Sequence, residues 1–473
     1  MEPSLERGKS KTMKIQYHKS DNTIAAISTA QSPGAIGIVR ISGPEAHEIA
    51  DRVFTSAHGK TISGQRGYTA LYGKVHDQNG EIDEAIALNF RAPASFTGDD
   101  VVELSCHGGV YVTRHLLKAV LEAGAVPAGP GEFTRRAFLN GKMGLTEAES
   151  VMQMIGAQGE QAAKTALAGQ GGVLERRIHA VRDLLVSTAA HLSAWADYPD
   201  DDIPQVTPEE LKISLGKAHS ELETMLREFE AGQALREGVD TVIAGRPNAG
   251  KSTLMNLLAG CERSIVTQYA GTTRDIVEDT VFLSGIPLHL ADTAGLHPTD
   301  DPVESIGVGR AFQRIHSAQL VFAVFDGSQE LGEDDFNLIQ KVHGTPCVAI
   351  VNKSDLPKKI DLQYIKDRFR HFVILSATTG KGLDKLRKEV ADVLETANLD
   401  PSQGILFTER QRDTARRALE CVKEAQDALK CGMTFDAITV SIEGAVSALL
   451  ELTGERVTET VVDSVFHHFC VGK

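Results

Sequence analysis

The stretch Gly245-Arg246-Pro247-Asn248-Ala249-Gly250-Lys251-Ser252 decides the fold, because it matches the pattern GxxxxGK[ST]. The apolar residues 241–244 before it predict a short strand, and residues 252–259 predict the start of a helix. In that setting the glycines let backbone N–H groups wrap phosphates at a helix N-terminus. Lys251 then places its charge on the β- and γ-phosphates, and the Ser252 hydroxyl binds Mg²⁺. The sequence therefore predicts a phosphate-binding loop.

Three further motifs follow apolar strands in the order typical of a nucleotide-binding domain. They are Asp292-Thr293-Ala294-Gly295 after 288–291, Asn352-Lys353-Ser354-Asp355 after 348–351, and Ser376-Ala377-Thr378 after 373–375. Asp292 can hold Mg²⁺ through water, and the Gly295 N–H can meet the γ-phosphate. Asp355 can accept both N–H groups of guanine, which adenine does not offer, and a buried carboxylate left unpaired is costly. The four motifs together predict a GTP-binding domain.

The hydrolytic machinery departs from the Ras pattern. Leu296 stands where Ras-type domains have a water-orienting glutamine, so hydrolysis is very slow or another residue acts. Glu304 is a candidate to position the water, and a solvated surface glutamate is the alternative. No arginine finger is obvious, and a monovalent cation could supply the missing charge. The Asn248 carbonyl and the backbone of 267–275 could hold that cation, while Thr273 is the predicted switch threonine on Mg²⁺.

A length of 473 residues suggests about three domains. The pattern of predicted secondary structure also changes along the chain. Runs at 25–27, 36–40, 85–90 and 101–104 predict strands, and 110–123 predicts a helix. Long helical patterns follow from about Glu147. One apolar stripe recurs at spacings of three and four, and a further helix is predicted at 209–232; the stripe comprises Leu174, Ile178, Val181, Leu185, Ala189 and Leu192.

Strands then alternate with helices from about Val239 to Leu394, and a helical pattern returns after residues 400–402. The predicted fold is therefore multidomain, α/β and α+β, with the α/β part inserted into a helical domain. The predicted segments are a disordered extension (1–20), an N-terminal α+β domain (21–142), the first helical part (143–236), a Ras-like P-loop GTPase domain (237–397) and the second helical part with its tail (398–473).

Composition excludes several classes of protein. With 42% hydrophobic and 24% charged residues, the chain is neither fibrous nor wholly disordered. Lys plus Arg is 49 and Asp plus Glu is 64, a net charge of −15, so a general nucleic-acid coat is excluded. No apolar run predicts a membrane span, and the N-terminus does not read as a secretory signal. The 6 cysteines lie far apart without zinc spacing, which predicts reduced thiols in a cytoplasm.

The sequence resembles the MnmE (TrmE) family of tRNA-modification GTPases over residues 21–473. The phosphate loop with its Asn248 and the switch motif 271–275 carry part of the resemblance. The more specific motifs lie near the two ends of the chain, at 21–26, 34–43, 95–104, 129–142 and in the Phe-Cys-Val-Gly-Lys tail at 469–473.

This resemblance implies a K⁺-dependent GTPase that modifies C5 of the wobble uridine of certain tRNAs. It adds a carboxymethylaminomethyl or aminomethyl group together with a partner, MnmG (GidA), in a hetero-oligomer. The partner carries FAD and uses NADH. The one-carbon unit comes from 5,10-methylene-tetrahydrofolate, and 5-formyl-tetrahydrofolate occupies the same site. The N-terminal domain is expected to bind this folate and to form a constitutive homodimer.

The resemblance also assigns residues. Folate binding falls on Arg40, Glu103, Lys142 and Lys473, and the predicted catalytic residues are Glu304 and Cys470. The K⁺ ligands are expected at Asn248, Thr267, Tyr269 and Thr272, and the Mg²⁺ ligands at Ser252 and Thr273. The whole predicted GTP-binding set is Asn248, Ala249, Gly250, Lys251, Ser252, Thr253, Thr267, Gln268, Tyr269, Ala270, Gly271, Thr272, Thr273, Asp292, Thr293, Ala294, Gly295, Asn352, Lys353, Asp355, Ser376, Ala377 and Thr378.

Several alternatives stay open at this level. Arg40 and Glu103 could be ordinary strand charges, and Cys470 a merely terminal thiol. The arginines at 410, 412, 416 and 417 could grip RNA phosphates or form a solvated, ion-paired helix face. A GTP-dependent assembly switch like Era and Der, which would not bind folate, is a second hypothesis. A stand-alone one-carbon transferase with a regulatory GTPase is a third.

Overall fold

The computed structural model describes residues 22–157, 159–197, 207–261, 279–291, 315, 318–394, 396–397 and 399–473. These residues form two units. The first takes the described residues of 1–152 and 446–473, and the second takes those of 153–445. The predicted extension at 1–20 lies outside the described residues. Within the described ranges, every helix is too short or too polar to cross a membrane.

The strands of the described residues are, in chain order, β1 (Ile24–Ile27), β2 (Ile36–Ser42), β3 (Phe54–Ser56), β4 (Thr69–Asp77), β5 (Gly80–Phe90), β6 (Val101–His107), β7 (Val126–Pro127), β8 (Val239–Ala244), β9 (Asp279–Leu283), β10 (Ile286–Ala291), β11 (Leu320–Asp326), β12 (Cys347–Asn352) and β13 (Phe372–Ile374). The helices are α1 (Ala46–Val53), α2 (Val110–Glu122), α3 (Glu132–Leu139), α4 (Leu145–Gly156), α5 (Glu160–Gln170), α6 (Val173–Asp197), α7 (Pro208–Glu237), α8 (Lys251–Cys261), α9 (Glu333–Lys341), α10 (Leu362–Lys366), α11 (Leu383–Val393), α12 (Glu409–Lys430), α13 (Phe435–Thr453) and α14 (Glu459–His467).

The first unit is built on a sheet with the strand order β3-β4-β5-β6-β2-β1-β7. Its neighbouring strands are antiparallel except β1 and β7, which are parallel. Alternate side chains of β2, β5 and β6 are buried, and together with α1 and α2 they form one apolar cluster. The opposite face of β2 and β6 carries Arg40 directly across from Glu103. The strand alternation therefore separates an apolar core face from a polar face.

The end of the chain completes this first unit. A second apolar cluster joins α4 to α14 through Leu145, Val462 and Phe466. Beyond α14, Val471 forms a β-bridge with Pro130, and the Gly131 N–H donates to the Cys470 carbonyl at 3.3 Å. The last residues therefore lie beside the start of α3.

Two long helices of the second unit, α6 and α7, follow signals in the sequence except at the end of α7. Thr207 caps α7, because its hydroxyl accepts from the Glu210 N–H while the Glu210 carboxylate accepts from the Thr207 N–H. The predicted stripe on α6 is confirmed, because Leu174, Ile178 and Leu185 are buried. Helix α7 continues past the predicted end at residue 232 to Glu237, and only Gly238 separates it from β8, which begins at Val239.

The second sheet has the strand order β13-β12-β11-β8-β10-β9 and is parallel except for β9. Its central strand β11 is buried along its whole length, as expected for a strand covered on both faces. Separate apolar clusters lie on the two faces. The strand order reverses at β8, and in such sheets ligands bind at the carboxyl ends of the strands near that point. The fold class predicted from the sequence is confirmed: an α+β domain, helices and an inserted Ras-like α/β domain.

Candidate nucleotide site

The loop after β8 has the backbone that a phosphate-binding loop needs. Asn248 has a φ of +61° and Gly250 a φ of +97°. A side chain at Gly250 would be strained and would also collide with the Asn352 amide on the next loop. Ala249 is fully buried, whereas Asn248, Ser252 and Thr253 are exposed. The buried Ala249 therefore fixes the loop to the core, and the polar side chains face solvent at the N-terminus of α8.

Lys251 is held inside this loop. Its ammonium donates to the carbonyls of Gly245 at 2.7 Å and Arg246 at 3.0 Å. Burial lowers the pKa of Lys251, because removal from water disfavours the charged form. The ammonium therefore lies against the backbone of the predicted phosphate-binding loop, and a charged donor of this kind forms strong hydrogen bonds with anionic oxygens.

Asn352 joins the phosphate loop to the two later motifs. Its amide nitrogen donates to the Ala249 carbonyl at 2.9 Å, and its amide oxygen accepts from the Ala377 N–H at 2.9 Å. The residue is only 2% exposed. The sequence predicts Asn352 and Ala377 in the GTP-binding set, and this stays a prediction; in the structure their contacts hold the two loops against one another. Both polar ends of the amide are satisfied, so the arrangement is specific to asparagine.

Asp355 is the exposed carboxylate of this group. The Ser376 hydroxyl donates to it at 2.5 Å, and this hydrogen bond holds the pKa of Asp355 below its usual value. The carboxylate is therefore ionised and oriented at neutral pH. A carboxylate that is ionised and held in one orientation can accept two neighbouring N–H donors of a ligand, such as those of guanine.

Sequence reasoning missed a buried acid beside this loop. Asp326, at the end of β11, is 4% exposed and accepts from the Lys353 ammonium at 2.7 Å. Burial opposes ionisation, but the hydrogen bonds from Lys353 and Ser328 outweigh it and lower the pKa of Asp326. Only the register of β11 against β12, which sets Asp326 beside Asn352, brings the pair together.

Part of the predicted site lies outside the described residues. This applies to every predicted residue of the switch segments, namely Thr267, Gln268, Tyr269, Ala270, Gly271, Thr272, Thr273, Asp292, Thr293, Ala294, Gly295 and Glu304. The described residues that the fold brings to one edge of the sheet are the phosphate loop, the Asn352–Asp355 loop and the Ser376–Thr378 loop. All follow the carboxyl ends of parallel strands.

A groove of the second unit lies away from these loops. It has a volume of about 1010 Å³ and is lined by the start of β12, the segment before β13 and the end of α11. These are the amino ends of the strands, opposite to the predicted nucleotide loops. This groove is therefore separate from the converging loops that carry the predicted nucleotide-binding residues.

In the first unit, two predicted folate residues contact each other. The Arg40 Nε donates to Glu103 at 2.8 Å, and the two side chains are 16% and 17% exposed. The guanidinium lies 5.7 Å from the Phe96 ring centroid and 5.5 Å from that of Phe133. The pair is thus largely buried rather than solvated, and the guanidinium lies near two aromatic rings. Such an ion pair with apolar walls can recognise a planar polar ligand.

The tail reaches the same place. Arg40 Nη1 donates to the Gly472 carbonyl at 3.5 Å, and Ser28 Oγ donates to it at 3.1 Å. Gly472 has a φ of +97°, and a side chain there would collide with the Ile27 carbonyl. The Phe133 N–H donates to the Lys473 carbonyl at 3.1 Å. The fold therefore brings Arg40, Glu103 and the tail together, although they are distant in sequence.

The other predicted residues of this region are more exposed. The Lys142 ammonium donates to the Pro93 carbonyl at 3.0 Å, and Cys470 is exposed. Their predicted roles stay predictions.

The arginine cluster on α12 is at least partly ion-paired. Arg412 contacts Glu409 and Asp413, and Arg416 lies 3.7 Å from Asp413. Arg416 remains 48% exposed in its side chain. This pattern favours the ion-paired helix face of the two alternatives, while leaving Arg416 accessible to phosphate.

Two family models match most of this chain. Residues 23–142 match the family described as GTP-binding protein TrmE N-terminus, and residues 145–470 match the family described as MnmE helical domain.

Three relatives are each named tRNA modification GTPase MnmE. The protein of Symbiobacterium thermophilum is 42% identical over 457 residues, which are 96% of this chain and 100% of the relative. That of Geobacillus thermodenitrificans is 40% identical over 459 residues, covering 96% and 99%. That of Bacillus subtilis is 37% identical over 458 residues, covering 96% and 100%.

Proposed function

The chain belongs to the MnmE family of tRNA modification GTPases, and from that premise we propose that it hydrolyses GTP in the modification of the tRNA wobble uridine. The reaction adds a carboxymethylaminomethyl or aminomethyl group at C5. It uses a tetrahydrofolate one-carbon unit and proceeds with the FAD-containing partner MnmG, which oxidises NADH.

One observation carries the GTP part of this proposal. The Asn352 side-chain amide connects the phosphate loop to the Ala377 backbone. It donates to the Ala249 carbonyl and accepts from the Ala377 N–H, and both hydrogen bonds are 2.9 Å long. In our proposal the same link aligns the predicted phosphate-binding and base-binding motifs, at the edge of the sheet where ligands of such folds bind. A chance glycine-rich turn would not be connected in this way to a loop that carries an ionised, oriented Asp355.

The described residues fit GTP and Mg²⁺ chemically. Lys251 offers an ammonium and the loop backbone offers N–H groups to phosphate oxygens, while Asp355 offers an acceptor to guanine. The exposed Ser252 hydroxyl at the start of α8 is an oxygen ligand of the kind that Mg²⁺ prefers. The ion would neutralise charge that develops on the transferred phosphoryl group.

The K⁺ dependence rests on the family resemblance and on Asn248. In our proposal the Asn248 carbonyl oxygen, together with Thr267, Tyr269 and Thr272, holds the ion beside the phosphates. Asn248 is exposed and has a left-handed backbone, so its side chain is available at the rim of the loop.

The test is the rate of GTP turnover in KCl and in NaCl at equal ionic strength. We expect a large acceleration by K⁺ in the unaltered protein. Asn248→Gly is the matched variant, because glycine accepts the φ of +61° without strain and lacks the side-chain amide that would supply the carbonyl oxygen. It should bind GDP normally and lose the K⁺ response. Equal rates in both salts would exclude the K⁺ proposal and favour an assembly switch.

Glu304 is proposed to orient the attacking water. Glu304→Ala should keep its affinity for GTP and lose most of its turnover, because the interaction is made only in the transition state. Full turnover by this variant would remove Glu304 from the mechanism.

The folate part of the proposal is supported by the Arg40–Glu103 pair. Folates carry an anionic glutamate tail and a pterin rich in donors and acceptors. Arg40 can pair with a carboxylate, and Glu103 can accept from pterin N–H groups. Lys142, Lys473 and Cys470 are proposed to contribute to the same region.

Calorimetric titration with 5-formyl-tetrahydrofolate tests this site. Glu103→Gln keeps the shape of the side chain and removes its charge, and we expect at least tenfold weaker binding. The Lys74–Glu81 pair on the same sheet has the same 2.8 Å separation but is about half exposed, so Glu81→Gln is the matched control and should bind normally. Wild-type affinity in Glu103→Gln, or none in the unaltered protein, would refute the folate proposal.

The partners are proposed from family membership. We expect a homodimer in solution, tRNA binding and a hetero-oligomer with MnmG. Light scattering of the purified chain, alone and mixed with MnmG, measures the first and third of these. A monomer at micromolar concentration would contradict the homodimer.

A further inference from the structure

Asp326 carries a charge that the proposed mechanism does not use. It is the last residue of β11, is 4% exposed, and accepts from the Lys353 ammonium at 2.7 Å. Ser328 also donates to it, from its N–H at 2.9 Å and from its hydroxyl at 2.6 Å. A buried carboxylate is retained only when it is paired and hydrogen-bonded in this way.

Lys353 is fixed at its other end by its backbone. The residue has a φ of +61°, and its carbonyl accepts from the Leu356 N–H at 3.0 Å. The next residue donates its N–H to the Leu375 carbonyl at 3.1 Å. The preceding residue, Asn352, is held by both ends of its amide. The backbone thus fixes the Cα of Lys353, and Asp326 fixes its ammonium.

A lysine fixed at both ends behaves differently from an ordinary surface lysine. Its stem has four rotatable bonds, and most of its cost in binding is the loss of their freedom. Here the side chain is 30% exposed, and the ion pair with Asp326 holds it in a defined conformation. The stem lies on the same loop as Asp355, two residues away.

We infer that Asp326 is a positioning residue for guanine-nucleotide recognition, acting through Lys353. The stem of Lys353 forms one wall for the flat purine, whose edge Asp355 reads, and Asp326 holds that wall in place before the nucleotide arrives. This inference deepens the proposed function and rests on it. It makes no change to the chemistry at the γ-phosphate.

The decisive variant is Asp326→Asn, because the amide keeps an acceptor for Ser328 and removes the charge that holds Lys353. Equilibrium titration with fluorescent GDP and GTP analogues should show a loss of affinity of roughly three- to tenfold, as expected for one side chain that must be immobilised on binding. The loss should be equal for the two nucleotides, because they share the base. The value of kcat at saturating GTP should stay unchanged, so that only KM moves.

A double-mutant cycle shows whether the effect passes through Lys353. Lys353→Met keeps the apolar stem and removes the ammonium, and by itself it should cause a loss similar to that of Asp326→Asn. In the Lys353→Met background, Asp326→Asn should change the affinity by less than about twofold.

Asp335→Asn is the matched control. Asp335 is also a buried acid: it lies in the first turn of α9 and is 1% exposed. Its ion-pair partner is Arg246 of the phosphate loop, at 3.3 Å, and not Lys353. Any loss that Asp335→Asn causes should be the same with and without Lys353→Met.

Two results would overturn the inference. One is wild-type affinity for both nucleotides in Asp326→Asn, and the other is an equal loss from Asp326→Asn in the Lys353→Met background. If Asp326→Asn does not fold, as judged by circular dichroism, Lys353→Met alone decides: wild-type affinity in that variant overturns the inference, and a three- to tenfold loss supports it. Failure of the proposed function is distinct, because the unaltered protein would then bind neither nucleotide.

Discussion

Replacing Asn352 by alanine should loosen two nucleotide loops at once. The variant removes the donor to the Ala249 carbonyl and the acceptor of the Ala377 N–H, each at 2.9 Å. Both contacts are buried, so water cannot take over either group without local opening. The exposed Asp355 carboxylate, in contrast, does not depend on this amide.

The size of the effect follows from the cost of leaving buried polar groups unpaired. Each such group costs about 1–3 kcal/mol, so the two together cost about 2–4 kcal/mol if the loops relax in part. At about 1.4 kcal/mol for each factor of ten, local opening becomes roughly 30- to 700-fold more frequent. Affinity for GDP and GTP should fall together, because the phosphate and base contacts are no longer pre-aligned.

Hydrogen exchange of the Ala377 amide reads this opening directly. The unaltered protein should protect the amide, and Asn352→Ala should speed its exchange by the factor above at a pH where exchange follows the opening equilibrium. Asp355→Asn is the control, because it alters the same loop without touching either hydrogen bond. Unchanged protection in Asn352→Ala, with unchanged affinity for GDP, would refute the bridging role.

Three further outcomes are expected. Asp355→Asn should shift nucleotide preference from GTP toward xanthosine triphosphate, measured by competition; unaltered guanine selectivity would contradict base reading by Asp355. Asp83 hydrogen-bonds His107 and raises its pKa above the ordinary 6.5, so the pair stabilises the fold fully below that value and loses this contribution as the pH rises through the raised pKa. An NMR titration should show this pKa, and Asp83→Asn should return it to about 6.5, whereas no change would exclude the pair as its cause. Arg416→Ala with Arg417→Ala should weaken tRNA binding and reduce its dependence on salt concentration, and an unaltered slope in a filter-binding assay would remove this patch from the tRNA surface.

The phosphate loop could be predicted from the sequence because its signal is local. Its glycines, its lysine and the flanking strand and helix all lie within one short segment, and the structure has β8 ending at Ala244 and α8 beginning at Lys251. The predicted strands at 25–27, 36–40, 85–90 and 101–104 are also confirmed within a few residues. Each of them has the apolar alternation or apolar run that burial imposes.

Other elements were missed because their cause is not local. The strand Thr69–Asp77 contains Gly73 and the exposed Lys74, and its pairing with β5 rather than its own pattern makes it a strand. Phe54–Ser56 and Val126–Pro127 are too short to show a period. The Asp326–Lys353 pair depends on strand register in the same way, since nothing near Asp326 in the sequence indicates its partner.

The contact of the tail with the first strands has a consequence for biosynthesis. Ser28 and Gly472 are hydrogen-bonded although they are 444 residues apart, so the first unit cannot be completed until the last helix and tail have left the ribosome. The second unit, which comprises the described residues of 153–445, is synthesised in full before that moment. Long-range closure of this kind is slow because the ends must meet before any contact offsets the lost entropy. The N-terminal residues, although made first, should therefore reach their final protection from proteases last.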